Sequence, residues 1–476
     1  VPAALLAWAS AWWAVAASPT GSRAAGIAVL LGGVLVAAAL RARREALRAV
    51  AGVAVLACAS CAVVLGLTSW HAERRAPPVV VDVAERSGTA LVELVVAGDP
   101  VRGTGEQAWQ REQVRLRVVL VGVADHDGSG AVLPVRVPAS LSGDEGWSSA
   151  RWGERVRVRL ALQPAPAGAP YVVFARPVGP AQVQAGPRWW WRAAEQLRSG
   201  LVQASIGPFG SVGPVGSVGA GPAGAVARSD AAGLLPGLVV GDTSTQAPDL
   251  VSDMRTAGLT HLTAVSGANV SIVCGGVLLL CVLLRAGRRT GVVLAALALV
   301  ALVVVARPEP SVLRAAVMGS VGLAGLLLGR RGGGLSALAV AVVVVLLADP
   351  WLARAPGFRL SVLATGALVL CSLPWARALG RVLPRSLALV LAVPAAAQAA
   401  VTPALVGLEP VLSLYALPAN VLTAPAVAPA TVIGVVAALL SVVHPGAAAV
   451  VVTPARWCAG WIALVARTAA DLPSAA

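Results

Sequence analysis

Residues Leu234–Arg285 read LLPGLVVGDTSTQAPDLVSDMRTAGLTHLTAVSGANVSIVCGGVLLLCVLLR. The stretch approaches as a short apolar run, turns at Gly241-Asp242 and crosses a polar loop carrying Asp249 and Asp253. At Gly258 it returns to apolar sequence but takes His261, Ser266, Gly267 and Asn269 with it. Only after Ile272 is the run plainly apolar. Any of these polar groups left unpaired in lipid costs several kcal/mol, so at membrane depth they line protein or water-filled space. Gly241 suits a turn, and Gly267 suits a helix break or a close approach of two helices. The stretch is therefore the first candidate for a route through a membrane.

Composition points the same way. The 476 residues are 57% hydrophobic and only 12% charged, with a mean hydropathy of +0.80. That charge fraction is about half the soluble norm, and several apolar runs are long enough to cross a bilayer as helix. A polytopic membrane protein follows. The net charge of +15 is carried by arginine, and lysine is absent. Cytoplasmic-loop arginine and a codon bias toward arginine each account for this, so the charge alone does not require an anionic substrate. All six cysteines lie in or beside apolar runs, and Cys58 and Cys61 read as small packing residues rather than a redox pair.

Taken in order, residues 1–70 hold three apolar runs, at 1–17, about 24–40 and about 49–69, and the first reads as a spanning helix rather than a cleaved leader. Arg41, Arg43, Arg44 and Arg48 place the second loop in the cytoplasm and the following segment outside. Residues 71–190 change character. PPVVVDVAE, TALVELVVA, QVRLRVVLVGVA, AVLPVRVPA, ERVRVRLALQP and YVVFARPVG read as strands separated by turns. The fold class is a polytopic α-helical membrane protein with a small extracytoplasmic β-barrel, OB-like, although a generic sandwich fits nearly as well. Arg155, Arg157 and Arg159 alternate on one strand and form either a DNA-facing stripe or a solvated face. Residues 191–229, opening beside Trp189-Trp190-Trp191, read as an interfacial anchor followed by a Gly/Pro-rich linker. Residues 230–476 form a second membrane block. Nine apolar runs follow between 262 and 469, with 410–431 and 432–451 read as two crossings.

Within that block Arg314 and Arg359 are ionisable groups in or at spanning runs, either snorkelling to the interface or facing a wet interior. Gln398 and Asn420 either satisfy a neighbouring helix or line the route, and nearby prolines suggest kinked helices. Four histidines in the chain form no ligand-spaced group, so no metal and no cofactor are assigned. Ser266 has no general base at a recognisable offset, which makes hydrolysis the weakest reading.

Leu235-Pro236-Gly237, Gly241-Asp242, Gly258-Leu259-Thr260-His261-Leu262 and Ala264-Val265-Ser266-Gly267 together resemble the signature of the ComEC/Rec2 family of DNA-internalisation proteins. Pro310-Ser311-Val312-Leu313-Arg314-Ala315, Asp349-Pro350, Gly357-Phe358-Arg359-Leu360-Ser361, Ala397-Gln398, Thr402-Pro403 and Leu417-Pro418-Ala419-Asn420 continue it in family order. The resemblance implies an inner-membrane channel that passes single-stranded DNA. Arg314 would be the main contact, and His261, Ser266, Asn269, Gln398, Asn420 and Arg359 would be further contacts. Gly241, Gly267 and Gly357 would serve breaks or close packing. The H-x-H-x-D-H motif of the family's metallo-β-lactamase-like domain does not occur, so no nuclease is carried over. The implied partners are single-stranded DNA, membrane lipid, a separate nuclease, a DNA receptor and an ATP-driven competence protein, since no P-loop is present. A transporter of a smaller anionic solute or lipid and a non-transporting envelope scaffold remain the rival readings.

Overall fold

The computed structural model describes the chain apart from residues 1, 18, 42–45, 104–112, 125–131, 208–221, 264, 266, 309, 329–333, 408–412 and 474–476. It divides into two compact units. One is Val1–Arg192 with Val343–Ala355, and the other is Ala193–Val342 with Pro356–Ala476.

The first unit begins with three helices, α1 (Pro2–Ala14), α2 (Pro19–Arg41) and α3 (Ala46–Arg75). Ala4, Ala7, Ala11 and Ala14 repeat at helical spacing and form the buried face of α1, while Leu5, Leu6 and Trp13 point outward. That inversion of small-in and large-out suits helices packed closely within lipid. The segment read as a first strand, PPVVVDVAE, is instead a helix, α4 (Pro78–Glu85). Pro78 opens it at the one helical turn that tolerates proline, and Val80 and Ala84 then fall on one face against the barrel core.

Seven strands follow: β1 (Thr89–Val96), β2 (Val101–Gly103), β3 (Gln113–Ala124), β4 (Leu133–Gly143), β5 (Arg155–Pro164), β6 (Val173–Pro177) and β7 (Gln182–Ala185). Five of them close in the order β1-β3-β4-β6-β5 and back to β1, while β2 and β7 are short additions on β3 and β5. Every ring pairing is antiparallel except β4 with β6. Counting only ring strands, this is a 1-2-3-5-4-1 barrel with a parallel 3–5 step, the OB arrangement. The alternation that announced these strands sends Val92, Leu94 and Val96, with Val156, Val158 and Leu160, into the core. Register shifts at Glu93/Leu94 and Leu120/Gly122 supply the bends that closure requires.

The outlying segment 343–355 docks in this unit through a 3-10 turn, Pro350–Arg354, whose first amide donates to the Asp349 carboxylate at 3.0 Å. Arg75 lies 4.0 Å over the Trp351 ring, pairs with Asp349 at 3.7 Å and donates to the Pro170 carbonyl. Trp8 Nε1 donates to the Ala353 carbonyl at 3.0 Å, and Arg354 donates to the Trp12 carbonyl at 3.0 Å.

Helix α5 (Trp189–Ile206) carries the unit boundary and corrects the linker reading of 191–229. Glycines and prolines concentrate after Ile206, whereas 193–206 is amphipathic and buries Ala194, Arg198, Leu201 and Ala204. The second unit continues with α6 (Pro222–Val240), α7 (Pro248–Thr256), α8 (Gly267–Leu283), α9 (Arg288–Ala306), α10 (Pro310–Leu327) and the first part of α11 (Gly334–Ala348), whose residues from Val343 on belong to the first unit. It ends with α12 (Pro356–Leu379), α13 (Arg385–Val406), α14 (Ala416–Val443), α15 (Pro445–Val451) and α16 (Thr453–Ala470). Among the described residues six helices are long and apolar enough to cross a membrane, or seven if the bent pair α15–α16 is one span. The protein is a multi-pass membrane protein.

The runs 410–431 and 432–451 are not two crossings. Helix α14 passes through both, with Pro425 and Pro429 inside it. Intramembrane helices tolerate proline when neighbours re-satisfy the freed carbonyls. Thr423 and Thr431 back-bond into the same helix at 2.8 and 2.9 Å. Ala419, Thr423, Ala426, Ala430, Gly434, Ala437 and Ser441 form a small-residue face along α14. At Gly434 an added Cβ would collide with Val239 of α6.

Candidate functional site

Between α6 and α8 the quoted stretch folds as two reversals of the chain joined by a short helix, α7. Helix α6 ends at Val240, and Gly241 turns the chain with φ +72°, a region that glycine enters freely. Residues 242–247 then run back along α6. Thr245 Oγ1 donates to the Gly233 carbonyl at 3.2 Å, and a Cβ at Gly237 would strike the Gln246 side-chain nitrogen. The glycines spaced four apart in α6 are thus the surface on which the returning strand lies. Asp242 caps the turn, accepting from the Ser244 amide at 3.1 Å and its hydroxyl at 2.6 Å. After α7 the chain reverses again at Gly258, with φ +67°, where an added Cβ would stand 2.6 Å from Ala416 Cβ. A 3-10 turn spans Thr260–Leu262, and α8 begins at Gly267. Val265 packs in a small buried cluster with Ala306 and Val312, and Ala315 faces Gly267.

Three polar fixtures hold this loop. Asn269 is buried and its Nδ2 donates at 2.9 Å to the Leu238 carbonyl, one of the orphan acceptors at the end of α6. Arg198 of α5 is 2% exposed and donates to Val240 O at 2.9 Å and Val305 O at 3.1 Å. It also pairs with Asp242 at 3.4 Å. One guanidinium therefore caps the carbonyl ends of both α6 and α9, where the helix dipoles are negative. One turn earlier on α5, Glu195 pairs with Arg307 at 2.9 Å. Midway along α6, Arg467 of α16 grips Asp230 in two-pronged fashion at 2.6 and 2.9 Å, and reaches Asp249 at 2.8 Å and Asp253 at 3.1 Å. The hydrogen bond from Arg467 holds the Asp249 carboxyl below its ordinary range. Burial pushes the Asp253 carboxyl up, and the neighbouring carboxylates reinforce this against the pull of Arg467.

The residues singled out in the sequence separate clearly. Arg314, in the second turn of α10, is 3% exposed, and its Nε and Nη1 have no hydrogen-bond partner. His261 is exposed in the 3-10 turn, and Arg359 is half-buried in the first turn of α12. Gln398 bonds Thr402 at 3.3 Å, and Asn420 bonds the Ala416 carbonyl at 2.8 Å, so each is satisfied by its own helix. Gly357 has open space around it, so close packing does not explain that glycine. Ser266 lies outside the described residues. On the barrel, Arg155 and Arg159 are exposed, while Arg157 is half-buried and stands opposite Glu93 of β1. Among the described residues no three His, Cys, Asp or Glu side chains are grouped to hold a metal.

Arg198, Asp230 and Arg467 escaped the sequence reading. Arg467 gave the same signal as Arg314, a cation within an apolar run, but was absorbed into the run 456–469. Arg198 was hidden by the Gly/Pro-rich composition of the sequence that follows it.

Two comparisons bear on this geometry. A family model described as Competence protein matches residues 238–476, which takes in most of the quoted stretch and every later helix. ComE operon protein 3 of Bacillus subtilis (strain 168) is 33% identical over 143 residues, 30% of this chain and 18% of that protein. The chain therefore aligns with less than a fifth of that relative's length. No solved structure matches.

Proposed function

We propose that this chain, which belongs to the competence protein family (ComEC/Rec2), passes one strand of DNA across a cell membrane. Family membership supports a role in competence and DNA uptake, and transport through this chain is our own step beyond it. One observation carries the reading: between α6 and α8 the chain turns at Gly241 and Gly258 and carries Asp242, Asp249 and Asp253 among apolar helices. Such backbone persists at membrane depth where it lines protein or a wet cavity, and transporters place their substrate sites at discontinuous helices. A phosphate backbone cannot enter hydrocarbon with its charges unpaired, so the strand needs water or basic partners along that route.

Under the positive-inside rule, the arginine loops support a barrel on the extracytoplasmic face. There it would receive the strand first, on Arg155 and Arg159. His261 and Ser266 would give weak neutral contacts, which suit passage better than a tight site, whereas Asn269, Gln398 and Asn420 spend hydrogen bonds within the fold. A DNA receptor, a nuclease and an ATP-driven protein would be separate partners, and we assign no cofactor and no catalytic residue.

The test is uptake of labelled DNA by a deletion strain and by the same strain with the gene restored. Uptake only in the restored strain is expected, and equal uptake in both would remove the reading. Vesicles containing the purified chain, offered labelled single strands or small anions, separate strand passage from solute transport.

A further inference from the structure

We propose that Arg314 is a binding station for phosphodiester oxygens, filled in passing by the strand whose transport is proposed above. The inference rests on that reading for the identity of the anion and on the fold for the site. The second unit has four arginines whose partners can be compared. Arg198 has two carbonyls and Asp242, Arg307 has Glu195, and Arg467 has three aspartates. Arg314 is as buried as Arg198, yet its Nε and Nη1 are sealed from solvent and donate to nothing. No carboxylate pairs with it among the described residues. A buried cation without a counter-charge is a large local penalty. The fold neutralises the other three, so the exception at Arg314 points to an anion that arrives from outside the chain.

Its place along α10 supports this. Val312, two residues before it, packs with Val265 and Ala306, and Ala315, the next residue, faces Gly267. Arg314 therefore stands level with the start of α8. Helix α8, 17 residues long, presents the positive end of its dipole there. A guanidinium and the positive end of a helix dipole at one level make a region of positive potential. The planar fork of arginine matches paired phosphate oxygens, and one positive charge matches one phosphodiester. Burial makes the ligand lose its own hydration on entry, so occupancy is brief, as a passing strand requires.

The experiment uses the full chain purified in a maltoside detergent, which carries no phosphate, and follows its thermal unfolding. Wild type, Arg314→Met and Arg314→Lys are titrated with an oligothymidylate, its uncharged methylphosphonate counterpart, and phosphatidylglycerol. Without ligand, Arg314→Met is expected to unfold at or above the wild-type temperature, because the unpaired charge is gone. The oligothymidylate should raise the wild-type midpoint and leave that of Arg314→Met unmoved. Arg314→Lys, keeping charge but losing the fork, should need about 10- to 100-fold more ligand for the same shift. The proposal is overturned if Arg314→Met is several degrees less stable than wild type without ligand, or if the oligothymidylate shifts all three proteins equally. It is also overturned if the methylphosphonate works as well as the phosphodiester. A shift of wild type by phosphatidylglycerol alone would assign Arg314 to a lipid headgroup and overturn the strand assignment. Uptake in cells tests transport, whereas these shifts test Arg314, so either can fail without the other.

Discussion

Replacing Arg467 with glutamine should destabilise the second unit more than any other single polar substitution in it. The size follows from which of its three partners can reach water. Asp249 is 63% exposed at its side chain, so its pair with Arg467 contributes at most about 1 kcal/mol. Asp253 is intermediate. Asp230 is 4% exposed and held at two points, 2.6 and 2.9 Å. Removing the guanidinium strands that carboxylate in the protein, and breaking a buried pair from one side costs about 3–5 kcal/mol. A loss of about 3 kcal/mol or more is therefore expected for Arg467→Gln, measured as the free energy of unfolding in mixed micelles of increasing denaturing-detergent fraction. The double variant Asp230→Asn with Arg467→Gln removes both charges and should recover at least half of the loss. A cost below about 1 kcal/mol for Arg467→Gln, or strict additivity in the cycle, would refute the argument that Asp230 is the dominant partner.

Three further outcomes follow from the same structure. The folded-state carboxyl of Asp249 is depressed, so its contribution is present above its unfolded value, near pH 4, and is lost as pH falls through the folded value. Asp253 is raised by burial, so its contribution is present below the unfolded value and lost as pH rises through the folded one. Asp253→Asn should then unfold at a higher temperature than wild type at pH 7 and lose that advantage near pH 4, while Asp249→Asn should show the opposite pattern. Gly258→Ala puts a side chain at φ +67° and a Cβ 2.6 Å from Ala416, for a combined cost of roughly 2–4 kcal/mol in the same unfolding assay. Gly275→Ala, in α8 with nothing within 4 Å, should gain about 0.5–1 kcal/mol as its control. On the barrel, Arg155→Gln and Arg159→Gln should each reduce the salt dependence of single-strand binding by about 0.7 in log–log slope, read by fluorescence anisotropy. Arg157→Gln should change it less because Glu93 stands opposite, and an equal or larger effect at Arg157 would count against the stripe.

What could be read from the chain, and what could not, divides by the range of the interaction that decides each feature. The barrel strands β1, β3, β4 and β5 announce themselves because a one-sided core imposes period-two alternation on the residues that form it. Strands β2 and β7, of three and four residues, are too short to show any period. Val79, Val80 and Val81 look like strand and fold as helix because Pro78 and the barrel wall decide, and β-branching is a weak preference by comparison. In α14 the prolines suggested a break, but in a bundle of small residues the lost hydrogen bond is absorbed and the span continues. The site follows the same rule. Polar residues at membrane depth stand out in sequence, yet their meaning depends on where their hydrogen bonds go. Asn420 and Gln398 spend theirs within one turn, Asn269 crosses 31 residues to α6, and Arg467 crosses 237 to Asp230. Only once those partners are placed does Arg314 differ in kind from the other arginines. Arg198, Arg307 and Arg467 each have acceptors that the chain supplies, although Arg198 and Arg307 keep one buried donor apiece unspent, whereas Arg314 is buried with two donors unspent. An ionisable group within a membrane segment is a functional-site hypothesis by default, and the proposed phosphodiester is the anion that would complete Arg314.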